Sequence, residues 1–189
     1  MDQTADASQD GRSLRVGGAA LDDEALDGLL QRVVELAHRT VAGAHAVSIT
    51  VVDKGAYRTS NSTRAEALAI DLAQYAADDG PCLTSMRTAE QQQFSMTGAG
   101  DRWPTVAERA LELGVGGVLS TPLIVEGRAS IGALNVYAID GEGFGEEERR
   151  TASLLSEHAA ILVGNALALT GGAGRLPGGP ALRALDPSG

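Results

Sequence analysis

The chain has 189 residues, enough for one domain with a substantial core, and carries a formal net charge of −10 from 15 basic and 25 acidic side chains. That charge repels a phosphate backbone, which argues against direct binding to DNA or RNA. The lone cysteine, Cys82, leaves no intrachain disulfide, the acidic start Met1-Asp2-Gln3-Thr4 has no apolar core of the secretory kind, and no apolar run reaches the ~18 residues of a membrane span, so a cytoplasmic protein is expected.

Residues 1–20 are polar and Asp-rich and lack the apolar area that would offset the entropy of ordering, so a disordered tail is expected there. At Leu21 the pattern changes. Asp22 fits an N-cap between Leu21 and Leu26, and Leu26, Leu30, Val33, Ala37 and Val41 recur at helical spacing until Gly43, a residue suited to a left-handed helix end. From Ala46 to Val52 the period becomes two, with Val47, Ile49 and Val51 on one face, and Asp53-Lys54-Gly55 turns the chain into a second strand, Tyr57 to Ser62. Ala65, Leu68, Leu72 and Ala76 mark a short amphipathic helix that Asp78-Asp79-Gly80-Pro81 stops, Pro81 being able to open the next helical turn. A strand is expected over Gln91 to Met96, and Trp103-Pro104 opens a helix with Val106, Ala110 and Leu113 as its apolar stripe before Gly114 ends it.

A central hairpin follows, from Gly116 to Tyr137 through Glu126-Gly127-Arg128. In its second strand Ile131, Ala133, Asn135 and Tyr137 share one face, and Gly132, Leu134 and Val136 the other. An amide and a phenol on one face need partners when buried, so Asn135 and Tyr137 either satisfy local structure or line a ligand site. Three glutamates after Gly145 suit the positive end of a helix dipole, and the helix they open is expected to run to about Leu169. Residues 170–189 are too dense in Gly and Pro for a regular element and read as a flexible tail. The order of elements is that of an α+β domain over 21–169, with helices covering an antiparallel sheet.

Chemistry-bearing residues are few. Cys82 sits at an expected helix start, where free N–H groups would lower its pKa and make it a redox or thiol centre; the alternative is a small buried hydrophobe. His38, His45 and His158 form no metal-ligand spacing with Cys82, and no phosphate loop or Gly-x-Ser-x-Gly elbow occurs, so an enzyme is not expected; haem, which needs one histidine, is left open by spacing, and any cofactor is unknown. In the last helix Leu155, His158, Leu162, Asn165 and Leu169 are spaced as a packing seam with two polar members, which suits either a dimer interface or a helix packed on its own sheet.

Asp79-Gly80-Pro81-Cys82-Leu83, Arg102-Trp103-Pro104, Glu112-Leu113-Gly114-Val115, Ser120-Thr121-Pro122-Leu123, Gly132-Ala133-Leu134-Asn135-Val136-Tyr137 and Phe144 with its glutamates together resemble the GAF domain, most closely the GAF domains of actinobacterial ANTAR-type regulators. The resemblance spans about residues 22–169. It implies a six-stranded antiparallel sheet, the first and last helices on one face where such domains often dimerise, and a small-molecule pocket on the other face near Cys82 and Trp103, with Ser120, Pro122, Asn135 and Tyr137 as further candidate pocket residues. Asn135 is followed by Val136 and Glu148 by Arg149, a departure from the cyclic-nucleotide-binding pattern; Cys82 is followed by Leu83, unlike bilin-attaching relatives; and one cysteine falls short of the set in the methionine sulfoxide reductases of this fold. The tail from Thr170 has neither the length nor the helical pattern of an ANTAR output domain. The expectation is a stand-alone sensory or regulatory module in transcriptional or signal-transduction control. It would signal to a protein partner and pair with a second copy through Leu26–Val41 and Leu155–Leu169; a purely interacting module and a Cys82 redox sensor are the alternatives.

Overall fold

A computed structural model describes residues 14–16, 19–21, 23–53, 55–98, 101–125 and 130–169. Two short strands, β1 (Leu14–Val16) and β2 (Ala19–Leu21), pair with each other before helix α1 (Asp23–Thr40). The hairpin β3 (Ala46–Asp53) and β4 (Ala56–Ser62) leads into α2 (Ala65–Ala77) and α3 (Pro81–Thr88). Strand β5 (Gln92–Ser95), α4 (Pro104–Glu112), β6 (Gly117–Leu123), β7 (Gly132–Ala138) and α5 (Glu146–Leu169) complete the chain. The main sheet has five strands in the order β4-β3-β7-β6-β5, every neighbouring pair antiparallel. The expected sixth strand is not in this sheet among the described residues: the sequence pattern itself signals five, and the extra strand pair, which lies within the expected disordered tail of residues 1–20 except for Leu21, closes on itself.

Strand alternation sorts the side chains into two layers. Val47, Ile49, Val51, Leu119, Leu123, Leu134 and Val136 pack against α1 and α5 in one aliphatic core. In α1 the buried stripe is Leu26, Leu30, Val34, Ala37 and Val41, with Val33 at its margin. In α5 it is Ala152, Ala159, Ala160, Val163 and Ala166, small residues that let the two helices lie close. His158 and Asn165, read as members of the seam, point outward instead, on an exposed stripe with Leu154 and Ile161. Leu155 and Leu162 are half-buried, while the Leu169 side chain lies outside the described residues. The expected Glu126-Gly127-Arg128 turn lies outside them too. Ile131, expected to share a face with Ala133 and Asn135, precedes β7 and packs into the α1/α5 core.

The other face of the sheet is covered by α2, α3 and α4. Here the rotation of α2 differs from expectation. Its buried side is Ala67, Ile70, Asp71 and Gln74, not the stripe of Leu68 and Leu72, both only half-buried. Positions 67, 70, 71 and 74 have equally good helical spacing, and the sheet face they meet is polar, so the carboxyl and amide go inward.

Candidate functional site

That polar face is built by β3 and β7. Antiparallel register places Ser48 beside Asn135 and Thr50 beside Ala133, and on the next strand pair Ser120 beside Asn135 and Pro122 beside Ala133. Directly opposed residues share a face, so Ser48, Thr50, Ser120, Pro122, Asn135 and Tyr137 all look toward α2, α3 and α4. Pro122 is tolerated in β6 because β5 pairs only as far as Ser120, leaving no strand on that side to require its missing N–H. Gly132 opens β7 where any side chain would collide with β3: a Cβ there would lie 2.2 Å from the Thr50 carbonyl oxygen.

Into this face α2 inserts Asp71, fully buried. Its Oδ1 accepts hydrogen bonds from the Tyr137 hydroxyl at 2.5 Å and Asn135 Nδ2 at 3.3 Å, and its Oδ2 accepts from the Thr59 hydroxyl at 2.8 Å. Burial disfavours the charged carboxylate and raises its pKa from 3.8 to about 6, against the opposing pull of the hydrogen bonds from Tyr137, Ser48, Thr59 and Asn135. Gln74, one turn further along α2, donates through Nε2 to the Tyr137 oxygen at 3.3 Å and accepts through Oε1 from the Cys82 N–H at 2.8 Å. It thereby satisfies one of the free donors at the start of α3. Gly80 makes room for this bridge: a Cβ there would come within 2.5 Å of Gln74 Oε1, on a backbone with φ +141.

Counting protons fixes the direction of a chain of hydrogen bonds. Thr59 spends its one hydroxyl proton on ionised Asp71, so at 2.9 Å it accepts from Tyr75; Tyr75, at 2.8 Å from Thr50, then accepts from it. Thr50 in turn accepts from the Cys82 thiol at 3.4 Å and from Asn135 Nδ2 at 3.1 Å. A one-way relay therefore runs Cys82, Thr50, Tyr75, Thr59, Asp71. Burial and the nearby Asp71 charge push the Cys82 thiol up to about 12, with the Thr50 and Asn135 hydrogen bonds opposing, and the same two causes hold the hydroxyls of Tyr75 and Tyr137 well above their ordinary value of 10. This reverses the expectation of a helix start lowering the Cys82 pKa: desolvation outweighs the helix N–H groups, whose nearest member already bonds Gln74.

Three of the six candidate residues, Cys82, Asn135 and Tyr137, thus meet in one network. Ser120 lies on the same face beside Asn135, and Ser120 Oγ and Asn135 Oδ1 are buried with no hydrogen-bond partner. Pro122 contributes buried surface. Trp103 joins none of these hydrogen bonds, although it shares an apolar cluster with Tyr137: its indole packs edge-on against Phe94 at 4.5 Å and beneath the Arg102 guanidinium at 4.3 Å, and its Nε1 is also buried without a partner. Sequence reasoning missed Asp71, Gln74, Tyr75 and Thr59. Among the described residues no group of three or more His, Cys, Asp or Glu could hold a metal ion, and no helix is long and apolar enough to cross a membrane.

The family model described as the GAF domain matches residues 23–163. The chain belongs to the GAF domain family. Among solved structures this GAF domain is similar to the GAF domain/HD domain protein of Geobacter sulfurreducens, with a TM-score of 0.61, 21% identity, and 76% of this chain and 94% of that chain covered. It is also similar to the GAF domain of a two-component sensor histidine kinase from Bacillus halodurans (TM-score 0.59, 14% identity, 77% and 97% covered). A third is the type II free methionine-R-sulfoxide reductase of Thermoplasma acidophilum (TM-score 0.55, 12% identity, 75% and 94% covered). At these identities the likeness shows a shared α+β fold. No curated protein matches the sequence.

Proposed function

We propose that this GAF domain is a non-enzymatic sensory module of signal transduction, serving transcriptional control, that responds to a small molecule on the polar face of its sheet. The observation that carries the reading is the contrast between a fully buried carboxylate network and the two unmade hydrogen bonds beside it, at Ser120 Oγ and Asn135 Oδ1. A core that served stability alone would gain from apolar residues here, since each buried unsatisfied polar atom costs about 1–3 kcal/mol. A ligand offering a donor to Asn135 Oδ1 and any polar atom to Ser120 would recover that cost. The motif likeness to ANTAR-type regulators supports the transcriptional part, and the histidine kinase neighbour is another sensory setting of the fold.

The response is read out through α1 and α5, which cover the opposite face. Leu36, Leu154 and Ile161 are exposed there at 41%, 50% and 61%, and the Leu154, His158, Ile161, Asn165 stripe is spaced to meet a second helix. A homodimer and a protein partner are the occupants proposed for it. Native mass spectrometry of the full chain, purified without refolding, tests both halves: a dimer retaining a small molecule supports the reading. A bare monomer that no metabolite extract shifts contradicts it. A Cys82 redox sensor is not proposed, because the thiol is buried and protonated at neutral pH.

A further inference from the structure

A cleft lies away from the polar sheet face, between the end of α2 and the start of α4. It has a volume of about 220 Å³ and is walled by Ala77 and Asp79 on one side and by Arg102, Trp103, Thr105 and Val106 on the other. We propose that this cleft binds a small zwitterion of the α-amino-acid class, its carboxylate held at the start of α4 by Arg102 and its ammonium held by Asp79.

Charge is laid out across the cleft with one polarity. The α2 side carries the partial negative charge of a helix C-terminus, capped by Asp78 in a left-handed conformation, and the carboxylates of Asp78 and Asp79 together outweigh the one Arg87 guanidinium that pairs with both. The α4 side carries the partial positive charge of a helix N-terminus. Trp103, its N-cap, makes no side-chain capping bond, and the first hydrogen bond along α4 is from Ala107 N–H to the Trp103 carbonyl at 2.9 Å. Pro104 has no N–H, so those of Thr105 and Val106 are left without intrahelical acceptors. The Arg102 guanidinium adds a full charge to the same side. It lies 4.3 Å from the Trp103 ring and 5.5 Å from the Phe94 ring and forms no ion pair among the described residues, so its donors are held flat and uncommitted. Trp103 is 3% exposed and contributes ring surface to this wall. On the opposing wall, Asp79 Oδ1 accepts from Gly80 N–H at 2.8 Å and lies 3.7 Å from Arg87, while its other oxygen bonds no described residue.

A simple anion would meet repulsion from Asp79, and a simple cation would meet it from Arg102; a zwitterion uses both. Size agrees, because about 220 Å³ is below the ~300–1,000 Å³ typical of pockets for drug-sized ligands and suits a molecule the size of an amino acid. Ala77, Pro104 and Val106 make the remaining wall apolar, favouring a short aliphatic side chain. The side chains of Arg102 and Asp79 make no hydrogen bond to the Asp71 network, so substitutions there test this site separately from the sheet-face reading.

The test is titration calorimetry of the full chain with L-alanine, L-valine and L-leucine to about 10 mM, beyond the ~1 mM at which even a weak site half-fills. Isovalerate and isobutylamine, which keep the valine side chain but lack the ammonium or the carboxylate, serve as comparisons. At least one amino acid is expected to bind, both comparison compounds at least tenfold more weakly. Arg102→Gln and Asp79→Asn should each weaken amino-acid binding tenfold or more, and Arg109→Gln, on the same helix but paired with Glu112, should leave it unchanged. No binding by any of the three amino acids overturns the proposal. So does isovalerate binding as tightly as valine, or binding that survives Arg102→Gln in a variant whose circular dichroism shows it folded.

Discussion

On the α1/α5 side of the sheet, β3, β6 and β7 present Val47, Ile49, Val51, Leu119, Leu123, Leu134 and Val136; on the α2–α4 side the same strands present Ser48, Thr50, Ser120, Asn135 and Tyr137. The first can be filled by any aliphatic set of the right volume, because its attraction is non-directional. The second relies on directional pairing of donors and acceptors, unmade at Ser120 Oγ and Asn135 Oδ1, and Asp71 is the acceptor on which three of the bonds converge. Non-directional packing therefore dominates on one face and directional pairing on the other, which is the division of labour that the proposed ligand response on the polar face requires.

Substitutions on the two faces should separate these roles. Leu134→Ala, in the aliphatic core, is expected to cost about 2–5 kcal/mol by chemical denaturation at any pH between 4 and 8. Asp71 should give a pH-dependent effect instead. Its folded pKa is raised from 3.8 to about 6, so the folded chain binds a proton that the unfolded chain has released; the stabilisation is fully present below about pH 3.8 and is lost as pH rises through 6. At 1.36 kcal/mol per unit the change is about 3 kcal/mol, read as the difference between wild type and Asp71→Asn across that window. Equal slopes for the two proteins would mean that Asp71 is solvated like an ordinary carboxylate.

Smaller effects sharpen the contrast. Tyr137→Phe removes the hydroxyl that donates to Asp71 and accepts from Gln74, and should lower stability by about 1–3 kcal/mol while leaving the fold intact by circular dichroism. Ile161→Glu touches neither layer. It should alter monomer stability by no more than about 0.5 kcal/mol but, for the proposed homodimer, shift sedimentation toward the monomer, and an unchanged sedimentation profile would count against the stripe as an interface.

Wherever one physical rule acts alone, the sequence was readable. Leu26, Leu30, Ala37 and Val41 were recognisable as a buried helical stripe, Val47, Ile49 and Val51 as one strand face, and Glu146 to Leu169 as one helix, because hydrophobic period and turn residues agree there. Asn135 and Tyr137 stood out as polar residues among aliphatic ones, and they are buried in the network. Asp71 and Gln74 did not stand out, because a carboxyl and an amide on a helix ordinarily mark its wet side, and only the polar strand face opposite makes their burial favourable. The same competition explains α5: His158 and Asn165 looked like seam residues by spacing, whereas alanines at 152, 159, 160 and 166 give the closer fit to α1. For Cys82, position at a helix start is a local signal, but full desolvation, which no local pattern reveals, decides the pKa.

The most direct measurement is the titration of the Asp71 side-chain carboxyl by carbon-13 NMR in the folded protein, assigned by its disappearance in Asp71→Asn. A midpoint near 6 is predicted, with the Tyr137 ring resonances shifting in step because its hydroxyl bonds the same carboxylate. A midpoint near 3.8, with Tyr137 unaffected, would contradict a desolvated carboxylate at the centre of the polar face.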